Sequence, residues 1–212
     1  MPPLKHRLEG LDANRLEALA DGVFAIVMTL LVLDLKAPGY HETDYLLGSI
    51  FVLWPNFMGY LLSFILLGIY WLGHRTTFTY IRRVNHSLHW INFLFLLFVG
   101  ILPFSTKLLS GFPFEPTAQI FYGLNLILIG LLLYWHLSYA ARHPELANEP
   151  IPPSIIRYGK HRYLVAPACY LVAIATIPLS THLSLALFGV VPLFYVLPAV
   201  QRRWLHMTVR EE

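Results

Sequence analysis

Two opposite charges head a segment otherwise suited to lipid: Arg15 and Asp21 precede Gly22-Val-Phe-Ala-Ile26-Val-Met-Thr29-Leu30-Leu-Val-Leu33-Asp34. An ionisable side chain at membrane depth is costly and normally faces protein or a water-filled cavity. Such a pair can bind a cation, relay protons, or join a structural network held by neighbouring helices. On a helical wheel with Ile26 at the origin, Leu30 lies at ~+40° and Leu33 at ~−20°, with Thr29 at ~−60° beside them. Three branched apolar side chains therefore share one stripe. Around a symmetry axis that stripe would line a pore with rings of Ile26, Leu30 and Leu33, an ion path gated by apolar side chains. Ordinary helix packing needs the same stripe, and spacing alone favours that plainer role. Asp21 falls at ~−140°, away from the stripe, which favours a network over ion binding. Asp34, near the outer end, suits either a cation-attracting field or a solvated cap.

Candidate network partners lie further along. One run ends in Tyr70-Trp71-Leu-Gly-His74-Arg75, and the next opens with Asn85-His86-Ser-Leu-His89-Trp90-Ile-Asn92. Residues 85, 89 and 92 share a helical face, and His86 and His89 are spaced i, i+3. Two histidines without a third ligand are weak evidence for zinc or haem, so no metal site is expected. A polar face aimed at the first helix suits them better. Asn125 and His136 are expected in polar packing. The five tryptophans mostly fall near the ends of apolar runs, where interfacial anchoring suffices. No nucleophile elbow, phosphate loop, His-Glu-x-x-His or catalytic carboxylate pair occurs, so the chain is not expected to be an enzyme and no cofactor is expected.

The elements that must position these residues follow from composition. Of 212 residues, 57% are hydrophobic and 13% charged, where soluble domains carry about 25% charged residues. The single cysteine, Cys169, excludes an internal disulfide and a cysteine zinc site. Apolar runs long enough for a hydrocarbon core, which takes ~20 helical residues, are expected near 15–35, 46–73, 87–108, 117–141, 162–180 and 183–204. The fold class is thus all-α, a single six-helix membrane domain spanning 1–212. Pro55 and Gly59 suggest that the second run begins with a bent or interfacial turn. The N-terminal run contains Asp21 and lacks a cleavage site, so it is expected to be a retained helix rather than a secretory signal.

Orientation follows from the basic residues. Of 15 Lys and Arg, all but Lys36 and Lys107 fall in the N-terminal segment, the second-to-third and fourth-to-fifth connections, and the tail. That split places both termini in the cytoplasm. The positive balance is a topology signal, and no nucleic-acid partner is expected.

Arg15-x-x-x-Leu19-Ala20-Asp21-Gly-Val-Phe-Ala-Ile26 resembles the Arg-x-x-x-Phe-Ser-Asp signature of the transmembrane protein 175 family of endosomal and lysosomal potassium channels, in its prokaryotic single-repeat form. Tyr60-Leu-Leu-Ser-Phe64, Ile69-Tyr-Trp-Leu-Gly-His74-Arg75 and Leu94 through Phe104 add to the likeness, which is good over the first 110 or so residues and topological beyond. The resemblance implies a homotetramer with a potassium-conducting pore lined by the first helix. It implies Ile26 as the constriction, Leu30 and Leu33 as further lining and Thr29 as a hydroxyl layer. Arg15 and Asp21 would belong to the inter-helix network, with His74, His86, His89 and Asn92 as its candidate partners. Leu19-Ala20 replaces the signature's Phe-Ser, so that hydroxyl's share of the network is absent or supplied elsewhere.

Two functions are then expected to compete. The first is a potassium-preferring channel in a prokaryotic plasma membrane, with lipid and its own copies as partners and potassium as the permeant ion. One lining helix cannot enclose a pore alone, so an oligomer is required, and closed symmetry suits four copies. No Thr-Val-Gly-Tyr-Gly filter exists, so a hydrophobic constriction would have to act as gate and filter. The second is a proton-coupled secondary transporter using Asp21 and membrane histidines, which predicts inverted repeats and broken helices that the sequence does not display.

Overall fold

The chain winds into helices α1 (Ala13–Leu30), α2 (Leu46–Val52), α3 (Trp54–Phe78), α4 (His86–Gly111), α5 (Pro116–Arg142), α6 (Pro153–Ala175) and α7 (Thr181–Val196). The structure is a computed structural model that describes residues 11–36, 46–147 and 150–196. Lys5, Arg7, Trp204, the tail arginines and the last part of the expected sixth span lie outside those residues.

Local chemistry explains most of the helix starts. The Asn85 side chain caps α4 by accepting from the Leu88 amide at 2.9 Å, supplying one of the acceptors that a helix N-terminus lacks. Pro at the first turn opens α3, α5 and α6, where its missing N–H has no intrahelical partner to lose. The expected second span is divided: α2 ends at Val52 and α3 restarts at Trp54, with Pro55 in its first turn.

Among the described residues, four helices are long and apolar enough to cross a bilayer: Ala13–Asp34, Trp54–Phe78, His86–Gly111 and Pro116–Arg142. These coincide with the first four expected spans, apart from the shifted second boundary. The fifth differs more, because α6 starts at Pro153 rather than near 162 and ends at Ala175. Its first turns carry Arg157, Lys160 and Arg162, whose long stems can lie along apolar surface while their charged heads reach water. Hydropathy therefore understates the length of that helix. The apolar stretch of α7, Thr181–Leu193, is shorter than the four.

Helix α5 is the hub: 61% of its most apolar stretch is buried, against 28% for α1. Its Gly130 lets α6 approach so closely that an added Cβ would lie 2.7 Å from Pro167 Cγ. A second, smaller core sits at the end of the bundle where α1 begins, where Ala13, Leu16, Phe78, Val84, Leu88 and Leu146 pack together. There the short strands β1 (Leu11–Asp12) and β2 (Arg83–Val84) pair antiparallel, Leu11 with Val84 and Asp12 with Arg83. The Ala13 amide donates to the Arg82 carbonyl at 3.3 Å, and the Arg82 amide to the Leu146 carbonyl at 2.9 Å. This backbone collar fixes where α1 begins.

Candidate pore-lining face of the first helix

Helix α1 buries Ala13, Leu16, Ala20, Phe24 and Val27, and Leu31 continues the same face. The 3–4 spacing of these residues turns one stripe toward α3 and α4. The opposite stripe contacts nothing comparable: Ile26 is 60% exposed, Leu30 43% and Leu33 69%. The three residues singled out for a pore therefore lie together on the face that the protomer leaves uncovered. From Leu31 to Asp34 the chain tightens into a 3-10 turn. Side chains three apart nearly eclipse in that geometry, so Leu33 follows Leu30 more closely than a continuous α-helix would allow. The exposed Thr29 hydroxyl donates to the Ile26 carbonyl at 2.8 Å. With its hydrogen committed, Thr29 Oγ1 offers lone pairs outward.

The packed face is held by aromatic rings. Phe24 lies 5.9 Å from Phe95 and 6.5 Å from His74 between ring centroids. His74 stacks on Phe95 at 5.2 Å with a 6° interplanar angle and on Phe78 at 4.3 Å. His136 meets both His74 and Phe95 edge-on at 5.6 Å. His74 Nε2 donates to Asn92 Oδ1 at 2.8 Å, a buried bond between α3 and α4 directly behind α1. His74 and Asn92 thus come together, but against Phe24 rather than on Asp21.

Asp21 takes a different partner. Its Oδ1 accepts from the Trp71 indole at 2.7 Å, and the Arg75 guanidinium lies 5.4 Å from the centre of the same indole ring. Trp71 is therefore a positioning residue as well as an aromatic near a helix end. Its 50-residue separation from Asp21 left no signal in spacing. Arg15 is exposed near the start of α1. His86 accepts from the Trp90 indole at 2.9 Å on the exposed side of α4, and His89 Nδ1 lies 3.2 Å from the Asn85 carbonyl. The histidine pair thus serves its own helix start. Ala20 is wholly buried and Leu19 exposed, so an alanine stands where a serine would have to satisfy a hydroxyl inside the packed face.

At the C-terminal end of the first span, Asp34 pairs with Lys107 at 3.2 Å, which sets a positive charge against the carboxylate there. Asn125 Nδ2 donates to Ser105 Oγ at 3.2 Å, as polar packing requires. Among the described residues, no cluster of three or more His, Cys, Asp and Glu side chains is placed to hold a metal.

Comparison with known proteins places this geometry in a lineage. Residues 15–103 match the family model described as endosomal/lysosomal potassium channel TMEM175. A potassium channel of Streptomyces collinus is 31% identical over 191 residues, covering 87% of this chain and 91% of the relative. A potassium channel of Chamaesiphon minutus is also 31% identical over 191 residues, covering 88% and 94%. The human endosomal/lysosomal proton channel TMEM175 is 27% identical over 195 residues, though only 39% of its length is matched. The crystal structure of a lysosomal potassium-selective channel TMEM175 homolog from Chamaesiphon minutus superposes with a TM-score of 0.75 at 30% identity, over 86% of this chain and 95% of that one.

Proposed function

The chain belongs to the endosomal/lysosomal potassium channel TMEM175 family, and from that premise we propose that four copies, each crossing the membrane six times with both termini in the cytoplasm, form a potassium-preferring channel in a prokaryotic plasma membrane. Helix α1 lines the pore. Ile26 forms the constriction, Leu30 and Leu33 continue the apolar lining, and Thr29 presents oxygen lone pairs beside it. The observation that supports this most is the uncovered stripe of Ile26, Leu30 and Leu33 on a helix whose other face is packed.

The mechanism follows from hydration. A narrow ring of branched aliphatic side chains offers an ion no ligands to replace its water, so the throat empties and conduction stops; widening rewets it. Selectivity over sodium is then modest, with the Thr29 oxygens as its source. Asp21 stays outside the ion path, held by Trp71, and positions α1 against α3. Arg15, His86 and His89 support the inner helix ends, and His74 with Asn92 backs Phe24. The proton-coupled transporter has less support, because Asp21 is engaged by an indole and His74 and His136 sit inside an aromatic cluster.

Recording from purified protein in planar bilayers tests the channel. Passive potassium current exceeding sodium current is expected, and Ile26→Asn should raise the conductance and the leak. Currents unchanged by that substitution would overturn Ile26 as the gate. Potassium flux tied to a proton gradient and abolished by Asp21→Asn would favour the transporter instead.

A further inference from the structure

A cavity of about 310 Å³ opens between the inner ends of α3, α5 and α6, well away from the exposed stripe of α1. Its polar wall carries Arg162, Tyr158 and Thr76, and its apolar wall Leu72, Leu137 and Ile155. Leu72 and Thr76 are exposed, so the cavity communicates with the outer surface of the protomer. Its volume falls in the ~300–1,000 Å³ range of small-molecule sites.

Arg162 is the informative residue. Its Nη1 donates to Tyr158 Oη at 3.1 Å, and its guanidinium lies 5.5 Å from the Tyr195 ring centre. Those contacts fix the plane of the group while using one of its five N–H donors. Among the described residues no carboxylate forms an ion pair with it. A half-buried planar guanidinium held this way suits an anion that accepts two parallel hydrogen bonds, such as the two unesterified oxygens of a phosphate diester. The surroundings share its sign: Arg75 stands on α3 and Lys160 on α6, on the side that the basic-residue count assigns to the cytoplasm. Arg162 also stands immediately before the apolar run of α6, where a basic residue flanking a membrane segment meets the headgroups. Tyr80 and Tyr158 line the same cavity, and amphipathic rings favour that depth.

We propose that this cavity binds an anionic phospholipid of the cytoplasmic leaflet, with its phosphate on Arg162 beside Tyr158 and an acyl chain against Leu72 and Ile155. Positive charge on the polar wall and an apolar wall open to the bilayer fit a charged headgroup carrying a hydrocarbon tail. A soluble anion would leave the apolar wall unused. The site is independent of which helix lines the pore, so its test uses no current.

Native mass spectrometry of the intact assembly, exchanged into equal phosphatidylglycerol and phosphatidylcholine, reads the site directly. The wild type should retain phosphatidylglycerol about tenfold over phosphatidylcholine, which corresponds to about 1.4 kcal/mol. Arg162→Gln should abolish that preference. Thr76→Trp, which fills the cavity without touching the charge, should also abolish it, so a folding defect in one variant does not decide the outcome. Lys160→Gln, outside the cavity, should leave the preference intact. Equal loss in Lys160→Gln would assign the effect to diffuse surface charge and overturn the proposal. So would retention unchanged in Arg162→Gln and Thr76→Trp, or equivalent binding of inorganic phosphate. Dissociation of subunits by Thr76→Trp, without lipid on the wild type, would make the cavity an interface between copies and would also overturn it.

Discussion

Helices α1 and α5 are both long and apolar, yet the protomer uses them in opposite ways. Helix α5 turns most of its surface into protein: Gln119, Asn125 and His136 are buried together with Leu126, Ile127, Ile129, Leu132, Leu133 and Leu137, and one stripe through Leu124, Leu128 and Leu131 stays uncovered. Helix α1 buries a single stripe and exposes Ile26, Leu30 and Leu33 on the other. In a bilayer an uncovered apolar face carries no hydrophobic penalty, because lipid tails are as apolar as leucine. What sets α1 apart is therefore how it is held. A backbone collar fixes its first residues, Trp71 holds Asp21, Phe24 enters an aromatic box, and Lys107 meets Asp34 at the other end. A helix fastened on one side at four levels can present the opposite side in a defined register.

Substitutions that break the contrast should scale accordingly. Gly130→Leu in α5 should have the largest effect, because its Cβ has no room beside Pro167; loss of the monodisperse assembly in gel filtration is expected. Gly22→Ala in α1 meets no atom within 4 Å and should be tolerated, gaining up to about 1 kcal/mol of helix propensity. Phe24→Ala should come next, at about 3–5 kcal/mol for a truncated buried aromatic, read as lowered thermal stability with α1 loosened. Ile26→Ala, on the uncovered face, should leave that stability nearly unchanged. Trp71→Phe keeps the ring but removes the donor to Asp21, an effect of about 0.5–1.5 kcal/mol because the bond is exposed, and rescue by Trp71→His would identify the hydrogen bond as the cause. Asp34→Asn should be smallest, because an exposed ion pair contributes about 0–1 kcal/mol and is screened by salt.

The elements differ in how legible they were for physical reasons. A bilayer demands ~20 apolar residues per helix, so the first four spans stand out in composition alone. The early start of α6 does not, because Arg157, Lys160 and Arg162 lower local hydropathy while their stems still serve a helix. That Ile26, Leu30 and Leu33 share a stripe follows from 3.6-residue periodicity, but spacing alone favoured packing for it, and which stripe stays uncovered is set by how α3 and α4 pack on the other face. The partner of Asp21 was out of reach, since charge complementarity pointed to Arg15 and the histidines whereas the carboxylate accepts from a neutral indole on another helix. His74 and Asn92 were recognised as polar residues facing α1, but their aromatic box needs three helices to converge, which spacing within one helix does not encode.

The central claim is that Ile26 faces water in a shared pore rather than acyl chains, and cysteine accessibility tests it most directly. With Cys169, the chain's single cysteine, replaced by serine, Ile26→Cys should react with a charged, water-soluble thiol reagent and its potassium current should fall. Leu124→Cys, on the exposed side of α5, should stay unmodified. An Ile26→Cys channel that conducts yet neither reacts nor changes its current would contradict the account.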